Sequence, residues 1–89
     1  MIFSYITTGT TVQVYTGLVK KCRIQVNTAL TGTITVIDGT SGTTANVAVI
    51  TNPTVGSSYE YWGFQNGVRI VTSTTCDVTV SCDLSRSGI

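Results

Sequence analysis

The stretch Gly32-Thr33-Ile34-Thr35-Val36-Ile37-Asp38-Gly39-Thr40-Ser41-Gly42-Thr43 reads as one β-strand running into one tight turn. Ile34 and Val36 fall on one face, with Thr33, Thr35 and Ile37 on the other. That is the two-residue alternation of a half-buried strand. Asp38-Gly39 breaks it, because Gly takes φ > 0 freely and Asp can bond the backbone of its own turn.

The same alternation recurs along the chain. Phe3 and Tyr5 share a face near the N-terminus. Val12 and Val14 alternate with Gln13 and Tyr15. Residues 18–27 form the longest clean strand, with Cys22, Ile24 and Val26 inward and Lys21, Arg23 and Gln25 outward. Residues 45–51 are apolar on both faces: Val47 and Val49 set against Ala48 and Ile50. Pro53 removes a ladder donor, so residues 52–56 read as a loop. Residues 58–64 carry most of the aromatic mass. Tyr59 and Tyr61 are expected on one face, Trp62 and Phe64 on the other. Asn66-Gly67 is the strongest hairpin signal and predicts a type I′ turn returning through residues 68–73. Residues 76–82 close the domain, and a polar tail begins at about Asp83.

This makes seven or eight short strands with no sustained 3.6-residue period. The fold class expected is all-β, an antiparallel β-sandwich, jelly-roll or immunoglobulin-like, with a closed small barrel as the other possibility. A chain of 89 residues is one domain, 1–89, with a modest core. At that size it buries roughly 60–65% of its unfolded surface, so association with partners would help it.

Charged residues make up only 10% of the chain, against about 25% in an ordinary soluble domain. Thr takes their place, at 18 positions. Its branched Cβ fits the pleat while its hydroxyl stays wet. A polar surface with net charge +1 resists self-association poorly. That points to a subunit whose faces are meant to be covered. No apolar run is long enough for a transmembrane helix, and residues 1–5 lack a signal-peptide pattern. Synthesis in the cytoplasm is the expectation.

Cys22, Cys76 and Cys82 cannot all pair within the chain. In one intact strand, Cys76 and Cys82 would lie about 20 Å apart, beyond the roughly 7 Å a disulfide allows. All three read as small core hydrophobes, reduced in the cell.

Little here supports catalysis. With no His and a single Glu, Glu60, no nucleophile has an obvious base. Paired carboxylates would have to come from Asp38, Glu60, Asp77 and Asp83. Asp38 is expected to cap its own turn, and Asp77 to face outward on the last strand. The Asp38-Gly39-Thr40-Ser41-Gly42 turn has too few acidic oxygens for calcium and no P-loop Lys. Without His or CxxC, zinc is not expected, and no cofactor is implied. Lys20, Lys21 and Arg23 form the one basic cluster, smaller than a nucleic-acid stripe. They fit a solvated face or docking to an acidic partner. Candidate interface residues are therefore Ala48, Ile50, Tyr59, Tyr61, Lys21 and Arg23.

Four segments carry a family resemblance: Arg23-Ile24-Gln25-Val26-Asn27, the stretch from Gly32 to Ser41, Asn66-Gly67-Val68-Arg69-Ile70-Val71-Thr72-Ser73, and Asp77-Val78-Thr79-Val80. Through these, the chain from Val19 onward resembles a family of small β-sandwich structural proteins of tailed bacteriophages and prophages. The likeness covers about two-thirds of the chain. It implies a virion structural role, most often a capsid decoration (cement) protein on the head exterior. The partner implied is the major capsid protein, with self-association as a trimer, and without nucleic acid or membrane. It implies no catalytic or binding residues. The aromatic segment 59–64 and the three Cys depart from the family pattern. The alternative function is a receptor- or glycan-binding module of a tail or fibre, in which exposed Tyr or Trp would do the binding; an enzyme accessory domain is a third.

Overall fold

The computed structural model describes residues 2–28, 31–40 and 46–84. They form eight strands: β1 (Ile2–Ile6), β2 (Thr11–Thr16), β3 (Val19–Thr28), β4 (Thr33–Asp38), β5 (Asn46–Thr51), β6 (Ser58–Phe64), β7 (Gly67–Thr72) and β8 (Asp77–Leu84). Two four-stranded antiparallel sheets result, in the orders β1-β8-β3-β6 and β2-β7-β4-β5. Each strand pairs with the one equally far from the other end: β1 with β8, β2 with β7, β3 with β6, β4 with β5. This is the order of an eight-stranded jelly roll. Among the described residues, β4 and β5 are the one pair of consecutive strands that bond each other. An immunoglobulin-like sandwich would contain several such hairpins, and a barrel would join the two sheets.

The core lies between the sheets and follows the alternation. On β3, β8 and β4 the residues buried in alternation are Cys22, Ile24 and Val26, then Val78, Val80 and Cys82, then Ile34 and Val36, with Val19 and Ile37 buried out of step. Each fully buried Val or Ile contributes roughly 1.5–3 kcal/mol. Thr72 is the buried polar residue among those described. Its hydroxyl donates to Thr8 O at 2.9 Å and accepts from Thr10 N at 3.0 Å. The chain passing from β1 to β2 is pinned there, with the Cys76 thiol donating to Ile6 O at 3.5 Å.

Three expectations need correction. Asn66-Gly67 does not close a hairpin: β6 bonds β3 in one sheet, while β7 bonds β2 and β4 in the other. The turn carries the chain between sheets. Gly67 has φ +149°, and among the described residues Asn52 is the non-Gly residue with positive φ, so Asn66 does not fit type I′. Trp62 and Phe64 do not share a face, since Phe64 is buried and Trp62 exposed. Lys20 is an extra residue of β3 against β8, where the register shifts between Val19 and Lys21, and Gly63, at φ +78°, lies level with it on β6. The pair switches Phe64 and Val19 inward together, a local bulge of the kind an in-strand Gly marks. Finally, β8 takes in Asp83 and Leu84, and the rest of the expected tail lies outside the described residues. Of the segments singled out above, residues 1, 29–30, 41–45 and 85–89 lie outside the described residues.

Candidate interaction surface

The two sheets present different outer faces. On the β1-β8-β3-β6 sheet, cross-strand register builds rows. Phe3, Ser81, Arg23 and Glu60 form one, and Tyr5, Thr79, Gln25 and Ser58 the next. Lys21 stands opposite both Asp83 and Trp62. Most charges of this face have a polar partner on it. Lys21 Nζ lies 3.7 Å from Glu60 Oε2, and Arg23 donates to Gln25 Oε1 at 3.2 Å. Asn27 donates to Asp77 Oδ1 and to Thr79 Oγ1, both at 3.1 Å. The Asp77 carboxylate near the Tyr5 hydroxyl, then burial, pushes the phenol's pKa up. Exposed aromatics flank the face: Phe3, 68% exposed, and Tyr5 on β1, and Trp62, 64% exposed, on β6.

The β2-β7-β4-β5 sheet is different. One outer row is Thr11, Val71, Thr35 and Val49. Thr33 and Thr51 form a second pair. Gln13, Arg69 and Ile37 form a third row, closed over by polar bonds. Gln13 Nε2 donates to Tyr15 O and Gly39 O at 2.9 Å and to Val68 O at 3.2 Å. Arg69 donates to Gln13 Oε1 at 3.3 Å and Thr40 O at 3.1 Å. Ile37 faces this side, yet is only 1% exposed. The one cation of the row is thus spent on the molecule's own backbone. What remains for a partner is Val47, Val49 and threonine methyl groups, running to the open edge of β5.

Asp38 is also spent, though not on its own turn as the sequence suggested. Its carboxylate accepts from Gln65 N at 3.0 Å and Asn66 N at 2.8 Å, in the turn after β6. Burial alone would raise its pKa. The N–H groups of Gln65, Asn66 and Gly67 outweigh that and lower it. Removing the acceptor in Asp38→Ala should cost about 1–2 kcal/mol, the lower range for charge-assisted bonds because the site is open to solvent. With its folded value depressed, Asp38 stabilises fully above its unfolded value near 4. The contribution is lost as pH falls through the lower folded value. Thermal melts of wild type and Asp38→Ala should therefore differ at pH 7 and converge toward pH 2. Equal melts at pH 7 would refute this account.

The structure separates the candidate interface residues. Ile50 is buried in the core, and Ala48, half-buried, stands opposite fully buried Val36 on the inner side. Tyr59 and Tyr61 pack half-buried against the core. On β5 the outward residues are Val47 and Val49. The inside and outside of that strand are thus reversed from expectation. Lys21 and Arg23 do face outward, on the opposite sheet. Trp62, Val47 and Val49 were missed as surface residues; for Trp62, Gly63 was the available signal. Among the described residues, no group of three or more Cys, Asp or Glu side chains is placed to hold a metal ion. Compared with protein-family models, curated proteins and solved structures, the chain matches none.

Proposed function

We propose that this protein is a virion structural subunit, a capsid decoration (cement) protein stabilising a phage head. The observation that carries the reading is the unequal treatment of the two outer faces. One holds Lys21, Arg23, Glu60, Asp77 and Asp83. The other ties up Arg69 internally and offers valines and threonines along an open edge. Such a face suits burial against protein, since apolar area released from water is the main favourable term in association. A jelly roll does not by itself specify function, so the reading also draws on the resemblance of segments such as Gly32 to Ser41 to phage structural proteins.

The partners proposed are the major capsid protein and further copies of this chain, as a trimer at three-fold positions on the capsid exterior. Synthesis would be in the host cytoplasm. No catalytic or cofactor role is proposed. A second reading is favoured by Phe3, Tyr5 and Trp62 around a polar face: a receptor- or glycan-binding module of a tail or fibre. Mass spectrometry of purified virions with copy number separates them. Hundreds of copies are expected of a decoration protein and a handful of a tail module. Absence from virions would overturn both.

A further inference from the structure

Cys22 and Cys82 stand directly opposite one another, on β3 and β8, the two central strands of one sheet. Both point into the core, and each is 0% exposed. Directly opposed residues of an antiparallel pair have Cα atoms about 4.5 or 5.5 Å apart, depending on the site. A disulfide spans Cα separations of roughly 4.4–6.8 Å, so either site satisfies it. Opposed Cβ atoms lie about 4.5–5.5 Å apart, within about an ångström of a disulfide's usual spacing. Side-chain rotation and a slight approach of the strands close that gap. The third thiol is out of reach: Cys76 precedes β8 and is turned toward Ile6 O.

We infer that Cys22 and Cys82 form a specific oxidation site, made as two thiols and converted to a cross-strand disulfide by a low-molecular-weight disulfide such as oxidised glutathione. One protein thiolate attacks a sulfur of the oxidant and expels one glutathione thiolate. The second protein thiolate then attacks the mixed disulfide at the protein sulfur and expels the other. Two electrons pass from the protein to the oxidant. The two protein protons end on the released glutathiones. The facing Cys82 thiol, with burial, pushes the Cys22 thiol up, in keeping with two sulfurs that share one buried site. Because both sulfurs are sealed in the core, the oxidant reaches them only when β3 and β8 open. The pair stays reduced in a reducing cytosol and oxidises slowly once outside it. The inference is independent of the virion reading.

The bond would close a loop of about 60 residues and raise the melting midpoint by roughly 10–20 °C. The test incubates reduced full-length protein with excess oxidised glutathione a few degrees below its melting midpoint. The expected product has lost two hydrogens, yields one linked peptide pair joining Cys22 to Cys82, and keeps a single thiol, Cys76, when titrated in denaturant. Cys76→Ser should oxidise in the same way. Cys82→Ser, a small change at a buried site, should not form the link. Three thiols remaining, a bond through Cys76, stable glutathione adducts, or a bond that lowers the midpoint would each overturn the proposal.

Discussion

Gly67→Val is expected to cost about 2–5 kcal/mol, a large part of the stability of a domain this small. Gly67 opens β7 with φ +149°, a region that L side chains rarely adopt. A Cβ there would lie 2.5 Å from Tyr15 O, 3.0 Å from Gln13 Nε2 and 3.2 Å from Gly39 O. Two of these neighbours are backbone oxygens. Both are also bound by the Gln13 amide, and Gly39 N donates to Gly67 O at 3.2 Å. The Gln13 amide is a side-chain end, but the nearest atom, Tyr15 O, is backbone and cannot swing away. Relief must come from moving β2 off β7 or from undoing the bonds that cover Ile37. Backbone strain contributes roughly 1–2 kcal/mol and overpacking a further 1–3. The melting midpoint should fall by roughly 10–40 °C. Gly67→Ala should already show most of the loss, since the first carbon makes the clash. Gly63→Ala is the contrast. Its φ is +78°, but nothing lies within 4 Å of the added carbon, so only backbone strain remains. Equal effects at the two glycines in urea or thermal unfolding would refute this account.

The fate of Asn66-Gly67 shows what local reading can reach. The residues signal a reversal, and there is one. Turn chemistry does not say whether the next strand returns beside the last or crosses to the other sheet. That depends on pairings such as β1 with β8, which join opposite ends of the chain. For the same reason the sequence suggested a sandwich without choosing its strand order. Where one face is apolar and the other polar, as at Cys22 to Val26 and at Thr33 to Val36, inside and outside were legible. Residues 47–50 are apolar on both faces, so alternation could not orient β5. Its position at a sheet edge, beside Val36 and Thr35, settled that. The three buried thiols were legible from parity. The facing of Cys22 and Cys82 was not, since it requires the register of two strands far apart in sequence.

Replacing both Val47 and Val49 by Lys should leave the fold intact and weaken assembly by 100-fold or more. On the β5 edge, Val47 and Val49 are 43% and 53% exposed. Surface changes of this kind usually fall within about 0.5 kcal/mol of neutral, and Lys is at home on edge strands. The melting midpoint should therefore hold. In an assembly the position is reversed. Each valine buried against a partner contributes roughly 1.5 kcal/mol, so losing two gives about 3 kcal/mol. Every 1.4 kcal/mol is tenfold in affinity, which already reaches about two decades before the cost of burying an ammonium is added. Sedimentation equilibrium of the isolated protein, and binding to heads stripped of it, would measure the effect. Trp62→Ala, on the opposite sheet, should leave both unchanged, whereas a receptor-binding role would make it the more damaging change. A double-Lys variant that assembles and binds heads like wild type would mean that this valine and threonine face is not the contact surface.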